Sequence, residues 1–348
     1  MSLRYRALVE RRLSGIACPV APVLFWKHHP IADQDAGALC RATLEFQAQF
    51  DCDLIKISPA ATYQLPDYGL EDAWRGDPIG RRFVTKTVIN RPEDWLRLPR
   101  LDPRKGFVAR YGECVRMVNT TAPPDVPVII TVFDPMFQAL TLASEQLIQH
   151  HLGVAPEAVE QGLVRITENT VDLIRHLINQ GADGIFLASQ HALRSVFPEP
   201  VFDRYGMPGV VACYEAMKGR PFNMVHLHGS GVHADLFARL PGATIHYDMW
   251  AGNLPPERLL AEGCALATGP SPQLLASDAP DQDVIKACSA ILGLGGRTLL
   301  SPGCSLPLAV GAKRMHLLAR MAHSWQSVPG LAEHPCDPSR QHPSPPPE

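Results

Sequence analysis

The sequence has little charge imbalance, no long apolar run and no paired-cysteine motif. Its 32 Lys and Arg against 35 Asp and Glu leave a formal net charge of −3. No basic surface is therefore expected to hold a nucleic-acid backbone. Apolar runs such as Val126–Phe133 fall far short of a bilayer span, so no membrane association is expected. Met1–Leu13 carries several arginines without a following apolar segment, unlike a secretory leader. The nine cysteines are scattered without CxxC pairs, which argues against a disulfide framework and for the cytoplasm. Gly293-Leu-Gly295-Gly296 lacks the spacing of a dinucleotide-binding loop and precedes a strand, so it reads as a helix-ending turn. No internal repeat and no Asp-x-His-x-x-Gly cobalamin motif is visible.

What is present is a core-forming chain. Of its 348 residues, 46% are hydrophobic and 19% charged, enough to bury a sizeable interior. Eight short apolar runs alternate with helix-like stretches: Val23–Lys27, Asp53–Ile57, Val126–Phe133, Asp183–Ala188, Asn223–His228, Thr244–Met249, Cys264–Thr268 and Arg297–Ser301. Several are apolar throughout, as strands buried on both faces require. Between two of them, Glu157–Asn179 places Val159, Leu163, Ile166, Val171, Ile174 and Ile178 at helical spacing and stops before Gly181. The pattern predicts an α/β protein, a (β/α)₈ TIM barrel. Residues 1–329 form its single domain, with a first helix before the barrel and a long insertion at about 60–124. The Pro-rich stretch 330–348 cannot build a core and is expected to be a flexible tail.

In such a barrel the strand C-termini carry the site. They offer Lys27, His28, His29, Lys56, Ser58, Asp134, Ser189, Gln190, His191, His226, His228, His246, Asp248 and Cys304. The sharpest signal is Asn223-Met-Val-His226-Leu-His228. Residues two apart on a strand share a face, so both imidazoles point into the lumen. A His-x-His pair is a common zinc mount, and Cys304 in SPGCSLP ends the last strand candidate as a third donor. Two imidazoles and one thiolate would leave the open position of a catalytic site. The alternative is a pair of satisfied core histidines and a buried thiol. By the same alternation His246 and Asp248 face inward, to orient a ligand, hold substrate or form an internal ion pair. His28 and His29 are adjacent, so at most one faces the pocket. Asp134 and Ser189 are substrate-binding candidates that could equally be helix caps. Tyr63 opens an excursion over the barrel mouth and joins the substrate-binding candidates.

From about Val23 to Leu318 the chain resembles the uroporphyrinogen decarboxylase superfamily. The resemblance is carried by FDPMFQALTLAS, LINQGADGIFLAS, HYDMWAGN, LATGPSP and LLSPGCSLPL. It implies a TIM barrel with its cleft at the strand C-termini, and one of two chemistries: porphyrinogen decarboxylation, or zinc-dependent methyl transfer between a corrinoid and a thiol. The decarboxylases carry arginines after the first strand and an aspartate after the next. Here those stretches read FWKHHP and IKISPAA, and Thr141 stands near the place of an expected tyrosine. A polycarboxylate without a guanidinium clamp would lose its main contacts. The methyltransferase branch carries His-x-Cys on one strand and a later Gly-Cys turn. His226-x-His228 and Gly303-Cys304 match it, with His in place of one Cys.

The expected function is therefore zinc-dependent methyl transfer. His226, His228 and Cys304 would be metal ligands, Asp248 and His246 catalytic, and His28, His29, Tyr63, Asp134 and Ser189 substrate-binding. The expected partners are a small-molecule substrate and a separate corrinoid protein, with a homodimer left open. The rivals are a metal-free decarboxylase acting on a porphyrinogen or another carboxylic acid, and a non-catalytic barrel that binds a tetrapyrrole or corrinoid.

Overall fold

A computed structural model describes residues 5–325 of the chain. Seven parallel strands form one curled sheet: β1 (Ile55–Ile57), β4 (Val128–Phe133), β5 (Gly184–Ser189), β6 (Met224–Leu227), β7 (Thr244–Tyr247), β8 (Ala265–Thr268) and β9 (Thr298–Leu300), neighbours in that order. The expected first strand, Val23–Lys27, is not continuous. It makes isolated parallel bridges, Val23 to Leu300 and Lys27 to Leu306. That segment still closes the ring. Leu24 N donates to Leu300 O at 3.0 Å on one side, and Asp53 N to Val23 O at 3.0 Å on the other. Asp53 Oδ2 also accepts from Val23 N at 2.8 Å, holding the seam by a side chain where the ladder is short. The architecture is the expected TIM barrel, with one stave reduced to a few bonds.

Every strand of the ring is buried on both faces, which is why these runs carry no polar alternation. The lumen is filled by Leu24, Trp26, Leu54, Ile129, Phe186, Met224, Ala267 and Leu299. Each aliphatic side chain sealed there contributes about 1.5–3 kcal/mol. Odd and even positions separate cleanly on β6 and β7. Val225, Leu227, Ile245 and Tyr247 belong to the outer layer beneath the helices. The helix Arg6–Leu13 stoppers the opposite mouth, inserting Val9 and Leu13 into the lumen cluster. Its Arg12 donates to Thr298 O at 2.9 Å and to Gly295 O at 3.1 Å.

The long insertion contains a feature the sequence did not suggest. Within the expected excursion lies an antiparallel hairpin, β2 (Glu71–Trp74) with β3 (Arg82–Lys86), followed by the helices Pro92–Trp95 and Ala109–Thr121. Asp72 pairs with Arg82 at 2.6 Å across the hairpin. Its tip is stitched to the rim: Leu308 N donates to Pro78 O at 2.8 Å, and Arg82 to Pro30 O at 3.2 Å. Gly80 lies so close to His28 that a Cβ there would approach the His28 Cβ to 2.6 Å. The expected helix Glu157–Asn179 is observed as Pro156–Asn179. The turn after Leu292 ends the helix Asp281–Leu292, as its glycines suggested. Among the described residues, no helix is long and apolar enough to cross a membrane. The segment 330–348 lies outside the described residues.

Candidate metal centre

β6 carries His226 inward, and the chain continues at once into His228. The turn after β9, Ser301-Pro302-Gly303-Cys304, brings its thiol to the same place. One donor atom from each of His226, His228 and Cys304 lies within 4.8 Å of the others. Cys304 Sγ stands 3.1 Å from His228 Nδ1 and 3.7 Å from His226 Nε2. Two imidazole nitrogens and a sulfur are the donor types and number that a catalytic zinc site uses. The environment suits them as well. Burial pushes His226 well below the usual imidazole range, with His246, His228 and Lys56 adding to the effect. Burial and then Arg81 lower His228 to about 4. Both rings are therefore neutral at pH 7, as metal ligation requires. Burial also raises the Cys304 thiol to about 11, so a bound cation would be needed to hold it as thiolate at neutral pH.

His246 stands directly behind His226, Nδ1 to Nδ1 at 2.8 Å. Its Nε2 is 2.9 Å from Pro302 O and 3.1 Å from Ser301 Oγ. Asp248 is half-buried on the rim. Its Oδ1 accepts from Trp250 N at 2.9 Å, and a Cβ added to Gly303 would meet its Cγ at 2.8 Å. The carboxyl thus packs against the backbone next to Cys304, and burial raises its pKa.

The other candidates separate by side. His28 is in phase with the lumen residues Leu24 and Trp26, with its Nδ1 buried and unpartnered. Burial, then Lys56 and His29, lower it to about 4. His29 turns outward, with its ring 6.3 Å from Phe46 of the helix Ala36–Phe50. Tyr63 is packed in the outer core, its ring 4.5 Å from Tyr111 and its hydroxyl donating to Thr131 O at 3.0 Å. Asp134 caps the helix Pro135–Leu142 by accepting from Phe137 N at 2.7 Å. Ser189, on β5 in phase with outward Ile185 and Leu187, lies beside it on the helix side of the sheet. Tyr63, His29, Asp134 and Ser189 therefore stand away from the triad.

Burial raises Asp134 to about 6. Ser189 is close enough to offset part of that, yet neither Asp134 Oδ2 nor Ser189 Oγ has a well-formed hydrogen bond. Because the folded pKa lies above the unfolded value, the native state holds the extra proton. Its contribution is present at low pH and is lost as pH rises from about 4 to about 6. Asp134→Asn keeps an acceptor for Phe137 N and removes the buried charge. We expect the variant to be more stable than the parent at pH 7 by about 1–3 kcal/mol, with the difference vanishing near pH 4. Denaturant unfolding of both proteins across that range measures it. A less stable variant at pH 7 would contradict the reading.

Two basic side chains complete the surroundings. Lys56 is in lumen phase on β1, with Nζ 3.0 Å from Ser58 Oγ. Its Nζ also lies 4.6 Å from the Trp26 ring and 4.3 Å from the Phe186 ring. Those same rings flank His246 at 4.8 and 5.3 Å, so the amine belongs to the layer of the triad. Burial drives its pKa well below the usual lysine range. Arg81, exposed in the tip of the hairpin just before β3, lies near enough to lower His28, His228 and Cys304. The alternation Leu54-x-Lys56-x-Ser58 announces an inward lysine. Nothing local announces Arg81, because it arrives on an insertion.

No curated protein matches the chain. Among solved structures, a methyltransferase from Methanosarcina mazei is similar in fold, with a TM-score of 0.79 at 15% identity, over 90% of this chain and 97% of that one. A B12-independent methionine synthase from Shewanella sp. W3-18-1 gives 0.52 at 15% identity, covering 88% and 93%. A putative vitamin-B12 independent methionine synthase from Listeria monocytogenes gives 0.54 at 13%, covering 88% and 99%. At these identities the likeness speaks for the fold alone. A family model described as uroporphyrinogen decarboxylase (URO-D) matches residues 27–325. With that match covering most of the chain, and a barrel that gathers its polar strand ends at one rim, the protein belongs to the uroporphyrinogen decarboxylase (URO-D) family.

Proposed function

We propose that this chain is a zinc-dependent methyltransferase, moving a methyl group between a corrinoid and a thiol or similar acceptor. The observation that carries the reading is the convergence of His226, His228 and Cys304 from two separate strand ends onto one point. Supporting it are the neutral state of both imidazoles and the methyltransferase and methionine synthase folds that the barrel resembles. His226, His228 and Cys304 would hold the ion. Zinc, when bound, would supply the positive charge that stabilises a substrate thiol as thiolate. Asp248, with its raised pKa on the same rim, is placed to take up the proton that the thiol gives off. Arg81 lends the surroundings positive charge, which favours an anionic sulfur over a neutral one. The hairpin tip on the rim narrows the approach, and a methyl donor would be presented from the open side by a separate corrinoid-carrying partner.

Protein purified without added metal is expected to hold about one zinc per chain. It should transfer a methyl group from a methylated corrinoid to a thiol only while the metal is retained. Absence of zinc together with carbon dioxide release from a porphyrinogen or other carboxylic acid would replace this reading with decarboxylation.

A further inference from the structure

We propose that His246 is a positioning residue that holds His226 in the one tautomer able to offer Nε2 to a metal, and that a backbone carbonyl of the Cys304 turn sets the direction. The inference rests on the metal-site reading above. Its geometry is a chain of three contacts with one fixed end.

Pro302 O can only accept, and it lies 2.9 Å from His246 Nε2. That nitrogen must therefore carry hydrogen. Ser301 Oγ, 3.1 Å from the same nitrogen and 3.1 Å from Pro302 O, fits the same assignment by donating to the carbonyl while accepting from the ring. A neutral imidazole has one N–H, so His246 Nδ1 is a bare lone pair. It faces His226 Nδ1 at 2.8 Å, and two lone pairs would repel at that distance. His226 Nδ1 is therefore the donor. By the same count His226 Nε2 is bare, and it is the nitrogen that faces Cys304 Sγ at 3.7 Å. The opposite tautomer would put a hydrogen where the ion must bind. Both residues are buried, His246 at 0% and His226 at 4% exposure, which leaves water poorly placed to supply the missing partner.

The turn Ser301-Pro302-Gly303-Cys304 thus does two things. Cys304 is a ligand, and Pro302, two residues earlier, orients a second ligand through His246. Metal-binding histidines are commonly fixed this way by a carbonyl or carboxylate. Here the fixing group is another histidine, and the carbonyl acts one ring further back.

The test uses the full chain without metal, labelled with ¹⁵N, because ring nitrogen shifts distinguish the tautomers. The expected result is hydrogen on Nδ1 of His226 and on Nε2 of His246. In parallel, cobalt(II) is titrated into the parent, His246→Leu and His246→Gln, with thermal melts as a check on folding. The Leu variant should bind cobalt about 10- to 100-fold more weakly. The Gln variant can donate to Pro302 O and accept from His226, and should recover most of that loss. Hydrogen on Nε2 of metal-free His226, or unchanged cobalt affinity in the folded Leu variant, would overturn the positioning role while leaving the metal site standing. Failure of the parent itself to bind cobalt would instead overturn the metal-site reading.

Discussion

Cys304→Ser should lower zinc affinity about a thousandfold while leaving the barrel folded. A hydroxyl is a weak substitute for a thiolate, and two imidazoles alone make a poor zinc site. The structural cost should be small. Cys304 is only partly buried and lies on a turn outside every strand, so about 1 kcal/mol or less is expected from the folding equilibrium. The two measurements separate the explanations. Retention of full zinc in the variant would remove Cys304 from the ligand set. Loss of zinc together with a large fall in melting temperature would mean that the thiol is structural.

Gly269→Ala should be far more damaging to the fold. Gly269 directly follows β8, where the chain runs against the end of β9. A Cβ built there would lie 1.6 Å from Ser301 O and 2.6 Å from Ser301 C. Backbone atoms cannot be moved aside like a flexible side chain, and this pair is fixed from both sides. Ser301 N donates to Thr268 O at 3.0 Å and Gly303 N to Pro270 O at 3.1 Å. The variant must break that register, at a cost we place above about 4 kcal/mol. On a chain of this size the melting temperature should fall by about 5 °C or more, or the protein should fail to accumulate. Any folded fraction should also bind zinc poorly, since the displaced residues include Ser301 and Pro302 behind His246. Gly296→Ala, where a Cβ meets nothing within 4 Å, is the control and should change stability by about 0.5 kcal/mol or less. Melting of Gly269→Ala at the parent temperature would contradict the geometry.

How far the site is legible in sequence depends on which feature is asked for. Strand alternation places His226 and His246 in the lumen, and Pro-Gly before Cys304 announces a turn at the rim. What alternation cannot give is the contact between them. Neighbouring strands of a barrel bring His226 and His246 into register, and that register depends on how the ring closes. The same periodicity turns Asp134 and Ser189 toward the helices, but it can be applied only once a lumen residue on each strand is known. Thr131 on β4 and Phe186 on β5 provide it in the structure. The hairpin escaped for a different reason. RFVTK is largely exposed and EDAW mostly half-buried, so neither presents the fully buried face that makes a strand recognisable. The segment Val23–Lys27 shows the converse: its apolar run is real, yet it pairs through only a few bonds.

That seam has a consequence in time. The partners of Val23 and Leu24 include Leu300, near the far end of the described chain. A polypeptide emerging from the ribosome must therefore leave its first apolar segment waiting, with Trp26 and Phe25 unsheltered, until almost the whole barrel has been made. Closing such a long loop is slow, and exposed apolar edges associate in the meantime. The stopper helix Arg6–Leu13 shares the delay, because Arg12 is held by carbonyls of Gly295 and Thr298. Closure of the barrel waits on its last strand, and the risk of aggregation is concentrated before that strand arrives.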